Sequence, residues 1–285
     1  MTKTVVLVSG GNRGIGLEII KALLESAPSG DSNGDGTMAP YHIYLGSRDL
    51  QKGRDVAAKL LLPLAHDGNT VSAIQLDITS PESVSRAAAT VKAESGRLDV
   101  LVNNAGVSVA SPDEVADMKT MYDVNVVGAW RVVDAFKPLL LARSAEGQDE
   151  QGQGQGQDEK KKEMTKKPMK RIIHVSSIMG STTMRLDPGF EFYHRQYTAY
   201  RCSKAALDML AACHAYEFRD EGVRVHAFDP GWAATELGGG DPAVKRKMGA
   251  VDPSVSGLAC RDIVEGKRDD QSGLLVSING DAYPW

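Results

Sequence analysis

Short apolar segments alternate with helical patterns along most of the chain, and this alternation limits the possible folds most strongly. It is typical of a parallel sheet with helices on both faces, because parallel neighbours need a crossover between them. Strands are predicted near Thr4–Ser9, His42–Gly46, Val71–Leu76, Leu98–Val102, Arg171–Ser176, Val223–Phe228 and Leu274–Ile278. Helices are predicted to begin near Gly14, Asp49, Pro81, Pro112, Tyr197 and Pro253. The sequence therefore predicts a single α/β domain over residues 1–285 with a doubly wound, seven-stranded parallel sheet.

Two segments interrupt this alternation. Residues 28–40 are rich in Gly, Ser and Asp and lengthen the first helix-to-strand connection, which predicts a flexible loop. Residues 145–167 contain Gln-Gly repeats followed by acidic and basic residues. Such a composition buries too little apolar area to offset the entropy of ordering, so we expect this second insert to be a disordered surface loop.

Composition excludes several classes of protein. The 285 residues carry a net charge of −4, which gives no electrostatic case for binding nucleic acid or a membrane surface. No apolar run approaches the roughly 18 residues of a membrane helix, and no segment of signal-peptide length opens the chain. The three cysteines have spacings that match neither a disulfide framework nor a zinc site. We therefore expect a cytoplasmic protein without a metal.

A glycine-rich turn of the form Gly-x-x-x-Gly-x-Gly follows the first strand, between Gly10 and Gly16. Gly10 permits a tight turn, while Gly14 and Gly16 let the backbone approach a pyrophosphate. The phosphates would rest on the helix N-terminus, where free amides and the helix dipole favour anions. Glycine-rich turns also arise for purely structural reasons.

Three further motifs follow in order: Asn-Asn-Ala-Gly at 103–106, Tyr-Arg-Cys-Ser-Lys at 200–204, and Pro230-Gly231 with Thr235. With the glycine-rich turn, they resemble the short-chain dehydrogenase/reductase family over nearly the whole chain apart from the two inserts. The runs at 45–50 and 98–106 are most similar to the carbonyl-reductase-type branch. This resemblance implies a Rossmann fold and hydride transfer between a nicotinamide cofactor and a small molecule.

The candidate catalytic residues agree with this resemblance. Tyr200 and Lys204 lie four residues apart and so share one helix face. Because a nearby ammonium favours the phenolate, we expect Lys204 to lower the pKa of Tyr200 from its ordinary value of about 10. The resemblance assigns Ser177 to orienting the substrate and Asn125 to holding a water that links Lys204 to solvent. Ser176 should point away from Ser177, since neighbours on an extended chain face opposite ways.

The end of the second strand indicates which cofactor is bound. An NAD enzyme usually has an acidic side chain there to bond the ribose hydroxyls. Ser47, Arg48 and Arg13 instead suit the 2′-phosphate of NADP(H), with Asp49 a discordant neighbour. The predicted cofactor-binding residues are Gly10, Asn12, Arg13, Gly14, Ile15, Gly16, Ser47, Arg48, Asp77, Ile78, Asn104, Ala105, Gly106, Tyr200, Lys204, Pro230, Gly231, Ala233 and Thr235.

The resulting hypothesis is an NADP(H)-dependent ketone or aldehyde reductase or alcohol dehydrogenase. Reduction of an imine or a quinone at the same site is one alternative. Another is a catalytically silent NADP-binding sensor or scaffold, although a sensor needs only the phosphate cradle and not Asn125, Ser177, Tyr200 and Lys204 as well.

Substrate selection is expected in two substrate-side loops, residues 182–196 and 235–250. The first is part of a Ser177–Tyr200 spacing about ten residues longer than the commonest family arrangement. Its Phe190, Phe192 and Tyr193 could line a pocket for an apolar or aromatic carbonyl substrate, or could pack among themselves. The resemblance also allows a homo-oligomer, a dimer or tetramer, because family members often dimerise through the helix that bears Tyr200. An insert just before this helix can obstruct such a contact.

Overall fold

The computed structural model describes residues 3–26, 39–64, 68–142 and 170–285, with the main chain alone at 61–64. The predicted loop at 28–40 lies outside the described residues except for its last two positions. The predicted insert at 145–167 lies wholly outside them, so the character of both segments stays a prediction.

One sheet runs through the described residues in the strand order β3-β2-β1-β4-β5-β6-β7-β8. The strands are β1 Thr4–Val8, β2 Tyr41–Ser47, β3 Thr70–Gln75, β4 Val100–Asn103, β5 Lys170–Val175, β6 Val223–Asp229, β7 Leu275–Ser277 and β8 Ala282–Tyr283. Neighbours from β3 to β7 pair in parallel, whereas β8 is antiparallel to β7. The predicted doubly wound parallel sheet is confirmed, and β8 extends its edge.

The helices of the described residues cover both faces of this sheet. They are α1 Gly14–Leu24, α2 Leu50–Leu64, α3 Pro81–Ser95, α4 Glu114–Tyr122, α5 Ala129–Leu141, α6 Thr182–Leu186, α7 Thr198–Glu217, α8 Pro242–Lys247 and α9 Pro253–Val264. Helices α3 and α9 begin with proline after a capping Ser80 and Asp252, as helix starts favour. A π-helical turn, Asp123–Gly128, joins α4 to α5. The short helices α6 and α8 lie in the two predicted substrate-side loops.

The sheet separates two apolar cores. Side chains alternate along β1, so that Val6 and Val8 join the core that contains α1 and α9 residues, while Leu7 joins the core on the opposite face. Helices α1 and α9 pack so closely that a Cβ on Gly257 would lie 2.5 Å from the carbonyl oxygen of Glu18. This packing fixes α1, and with it the glycine-rich turn at its start.

Candidate active site

The turn between β1 and α1 has the geometry of a phosphate cradle. Gly10 and Gly14 have φ values of 65° and 57°, which side chains other than glycine rarely adopt. A Cβ on Gly16 would lie 2.4 Å from Asn104 Nδ2 and 2.6 Å from the Gly10 oxygen. Among the described residues no side chain caps the start of α1, so its first amides are available to an anion. These features fit the pyrophosphate of a dinucleotide.

The end of β4 braces this turn. The Ser9 hydroxyl accepts hydrogen bonds of 3.0 Å from the amides of Asn104 and Ala105. In return, Asn104 Nδ2 donates to the carbonyl oxygens of Ser9 at 2.8 Å and Gly10 at 3.2 Å. The first asparagine of the motif, Asn103, instead donates to the Ala129 oxygen at 3.2 Å. The motif at 103–106 therefore fixes the shape of the cradle.

Among the residues at the predicted adenosine end of the cofactor site, Ser47 and Asp49 make hydrogen bonds within the protein, whereas Arg48 is exposed to solvent. The Ser47 hydroxyl donates to the Asp49 oxygen at 2.7 Å, so its proton is used within the protein. Asp49 Oδ1 accepts from the Lys52 amide at 3.1 Å and caps α2. Arg48 is exposed. Of the predicted pair after β2, the arginine is the residue available to a phosphate.

Asp77 and Ile78, the predicted adenine contacts, lie at the end of β3. Asp77 Oδ1 accepts from the amide and the hydroxyl of Thr79, at 3.0 and 2.7 Å. Ile78 is buried against Gly128, where a Cβ would lie 2.9 Å from its side chain. Both residues therefore help to order the β3–α3 connection.

Arg13 pairs with Glu236 across the mouth of the cleft. Its guanidinium lies 2.8 Å from the Glu236 carboxylate, and the two side chains are 67% and 70% exposed. Exposed ion pairs contribute little, typically about 0–1 kcal/mol, so this pair exchanges readily for another anion. It connects the glycine-rich turn to the segment after β6.

That segment brings the predicted nicotinamide contacts to the cradle. A Cβ on Gly14 would lie 3.7 Å from Thr235 Cγ2. Ala233 forms an isolated bridge with Val251, and the Pro230 oxygen accepts from the Ser256 hydroxyl at 2.7 Å. The neighbouring Gly231 has a φ of 69°.

Tyr200, Lys204 and Ser177 meet at the carboxyl end of β5. Lys204 Nζ lies 5.7 Å from the centre of the Tyr200 ring and donates to the Val175 oxygen at 2.9 Å. The Ser177 hydroxyl accepts from the Met179 amide at 3.2 Å and hydrogen-bonds to Tyr200. Ser176 is buried and donates to the Lys204 oxygen at 3.5 Å. Ser176 and Ser177 thus have separate partners, as expected.

The expected effect of Lys204 on Tyr200 is wrong for this structure. Burial raises the pKa of Tyr200 above its ordinary value, and Asp229 raises it further, while the hydrogen bond to Ser177 lowers it. Burial also lowers the pKa of Lys204 to about 8, against the opposing influence of Asp208 and Asp229. The ammonium is directed to the Val175 oxygen, and the carboxylates favour a protonated phenol. The phenol of Tyr200 is therefore favoured in its protonated form.

Asp208 and Asp229 were missed by the sequence reasoning. Asp208 follows Lys204 by four residues on α7, and burial raises its pKa to about 7. Asp229 ends β6, where burial raises its pKa to about 6 against hydrogen bonds from the amides of Ile178 and Gly231. Both are almost fully buried, at 4% and 3% exposure. The available sequence signal was an acidic residue on the Tyr–Lys helix face and another directly before Pro230.

Asn125 lies in the π-helical turn and is 1% exposed. Its Oδ1 accepts from the Val107 amide at 2.8 Å, and its Nδ2 donates to the Val107 oxygen and the Ser203 hydroxyl, each at 3.0 Å. The Ser203 hydroxyl in turn donates to the main-chain carbonyl oxygen of Tyr200 at 2.8 Å. Asn125 therefore ties the segment after β4 to α7. The water link to Lys204 stays a prediction.

Aromatic residues of the predicted substrate-side loop 182–196 make several ring contacts. Phe192 makes edge-to-face contacts with Phe190 at 5.6 Å and with Trp232 at 6.2 Å between ring centres. The Arg185 guanidinium lies 5.7 Å from the Tyr193 ring. Of the predicted aromatics, Phe190 and Phe192 thus pack with each other, Phe192 also contacts Trp232 from the segment after β6, and Tyr193 packs on its neighbour His194.

A dinucleotide cradle after β1 and a Tyr–Lys pair at the carboxyl ends of the same parallel strands define a nicotinamide-dependent oxidoreductase. The chain belongs to the short-chain dehydrogenase/reductase family, since the short chain dehydrogenase profile matches residues 37–148 and 158–243. Members of this family use nicotinamide cofactors and act on small molecules.

The relatives and solved structures agree with this assignment. The chain is 31% identical to the short-chain dehydrogenase/reductase tropE of Talaromyces stipitatus, over 99% of this chain and 98% of the relative. It is 32% identical to eupG of a Phoma species, again over 99% and 98%. The NADPH-bound carbonyl reductase from chicken fatty liver superimposes with a TM-score of 0.72 at 26% identity, covering all of both chains. Within the described residues, no helix is long and apolar enough to cross a membrane.

Proposed function

We propose that the protein is an NADP(H)-dependent carbonyl reductase that interconverts a ketone or aldehyde and the corresponding alcohol. The observation that carries the proposal is the placement of the Tyr200 phenol beside the Ser177 hydroxyl and the buried Lys204, at the strand ends that also form the phosphate cradle. The likeness to an NADPH-bound carbonyl reductase supports it.

The charges at the end of β2 favour NADP(H) over NAD(H). No carboxylate occupies the Ser47 position, and the nearby Asp49 is engaged in capping α2. Arg48 is exposed, and a guanidinium forms a planar, charge-assisted fork with a phosphate. Arg13 can join it by leaving Glu236, since their exposed ion pair is weak.

The catalytic residues have separate roles in reduction. Bound NADPH would supply the hydride to the carbonyl carbon. Tyr200 Oη donates its proton to the carbonyl oxygen as the alcohol forms, and the Ser177 hydroxyl orients that oxygen. Lys204 and Asn125 position the Tyr200 helix, Lys204 through the Val175 oxygen and Asn125 through Ser203. In the oxidative direction Tyr200 accepts the proton instead.

The substrate class that fits is an apolar or aromatic carbonyl compound. Phe192, in the predicted substrate-side loop 182–196, packs edge to face on Trp232, which supports an apolar lining there. Aromatic rings prefer such offset or edge-to-face neighbours.

Cytoplasmic localisation and homo-oligomer formation stay predictions of the sequence.

The test is NADPH consumption with a panel of aromatic ketones, aliphatic aldehydes, imines and quinones. We expect turnover of carbonyl compounds, and loss of at least a thousandfold in kcat for Tyr200→Phe with NADPH affinity changed only a few-fold, because only the proton donor is removed. Tyr197→Phe is the matched control, since this tyrosine is 51% exposed and lies three residues away. Activity confined to imines or quinones, or full activity in Tyr200→Phe, would contradict the proposal.

A further inference from the structure

Arg201, directly after Tyr200, is buried, and no carboxylate of the described residues pairs with its guanidinium. It is 6% exposed, and burial together with Arg185 lowers its pKa. Its hydrogen-bond partners are main-chain oxygens. Nε donates to Gln196 at 3.0 Å, and Nη2 donates to Phe192 at 2.8 Å and to Arg195 at 3.1 Å.

A fourth bond extends this network towards the catalytic serine. Arg201 Nη1 donates at 3.4 Å to the oxygen of Met179, two residues after Ser177. One side chain thus joins the turn after β5 to the segment that precedes α7. Burying a guanidinium is costly unless its donors are satisfied, and here bonds to backbone oxygens engage four of its five N–H groups.

The backbone beside this network is strained. Tyr197 has a φ of 44°, the left-handed region that a bulky residue rarely adopts, and it is the sole residue other than glycine with positive φ in the described part of the chain. The strained residue directly follows Gln196, whose oxygen Arg201 holds. Such strain persists only where the surroundings over-determine the conformation.

We infer that Arg201 is a positioning residue that holds residues 187–196 as a fixed wall of the substrate pocket, with Phe192 against Trp232. It selects for bulky aromatic carbonyl compounds by keeping that wall preformed. A small aldehyde needs only Tyr200 and Ser177, so its reduction depends far less on the wall. The kinetic part of this inference, the difference between ketone and aldehyde substrates, rests on the proposed carbonyl reduction.

The experiment compares Arg201→Met and Arg201→Lys with the control Arg195→Ala, which removes an exposed guanidinium from the same segment. In Arg201→Met we expect KM for a bulky aromatic ketone to rise at least tenfold, while kcat for that ketone and KM for a small aldehyde change less than threefold. A tenfold rise corresponds to about 1.4 kcal/mol of binding. Arg201→Lys should recover part of the ketone affinity, because an ammonium can still reach some of the oxygens.

Limited proteolysis tests the same inference without turnover. Cleavage within 187–196 should become at least fivefold faster in Arg201→Met and stay at the wild-type rate in Arg195→Ala, with NADPH affinity retained in both. If Arg201→Met does not fold, Arg201→Lys and Phe192→Ala supply the same comparison of ketone with aldehyde.

Equal losses for both substrates, or wild-type cleavage in a folded Arg201 variant, would overturn the inference. If the wild-type protein reduces no carbonyl compound, the proposed function fails, whereas altered cleavage would still support the anchoring of the wall.

Discussion

Replacing Asp208 by Asn should stabilise the cofactor-free protein at alkaline pH. Burial raises the pKa of Asp208 from 3.8 to about 7, so between these values the folded state holds a proton that the unfolded state has released. Stability from this carboxyl is therefore lost as the pH rises from about 4 to 7. The full difference corresponds to about 4 kcal/mol above pH 7, and this figure already includes the opposing attraction to Lys204.

The assay is urea denaturation of wild type and Asp208→Asn at about pH 5 and about pH 8. The stability difference between the two proteins should move in favour of Asn by about 2–3 kcal/mol from the lower to the higher pH. Asp134→Asn is the matched control, because Asp134 is an exposed residue on α5 and carries the same change of charge.

A stability difference that does not depend on pH would refute this reasoning. It would mean that the Asp208 carboxylate is ionised in the folded state across the whole range, held by the nearby Lys204 ammonium. A difference that grows towards acidic pH would reverse the sign and give Asp208 a stabilising charge.

Two further predictions concern the cofactor cleft. Arg48→Ala should lower the preference for NADPH over NADH in kcat/KM by about ten- to a hundredfold, since one charge-assisted bond to phosphate contributes about 1.5–3 kcal/mol. Steady-state kinetics with both cofactors at several salt concentrations measures this preference. Unchanged selectivity would exclude Arg48 from the phosphate site. Asn104→Asp should destabilise the protein by about 2–4 kcal/mol and weaken NADPH binding, because a carboxylate oxygen would face the carbonyl oxygens of Ser9 and Gly10. Urea denaturation and NADPH titration measure the two effects. Wild-type values in both would contradict the role of Asn104 in holding the glycine-rich turn.

Most strand positions were predictable because buried parallel strands are short apolar runs between turn residues. The predicted Val71–Leu76, for example, compares with the observed Thr70–Gln75. Strand β8 could not be predicted, since Ala282–Tyr283 has too few residues to show a pattern and depends on pairing with β7. Helix α4 begins at Glu114 instead of near Pro112 because Asp113 accepts the first amides.

The sequence predicted the site correctly where its chemistry depends on residue type and spacing. The prediction was wrong where that chemistry depends on burial. The spacing of Tyr200 and Lys204 correctly brought the two side chains together on α7. The direction of the Tyr200 pKa shift was wrong because desolvation and the buried Asp229 act from other elements of the fold. The sequence assigned no role to Arg201. Its main-chain acceptors belong to an irregular segment whose path no periodicity reveals.

The π-helical turn between α4 and α5 acts as a phase adjustment for the long helical stretch that it interrupts. Met121 and Asn125 face inwards before or within the turn, and Val132 and Phe136 face inwards after it. If the same residues were wound as a regular helix, everything beyond the turn would rotate by about 100°. Asn125 and the α5 core face could then no longer both point inwards. The π-helical turn is thereby maintained by site and core together, and a regular helix would keep both faces inwards only after the loss of one residue.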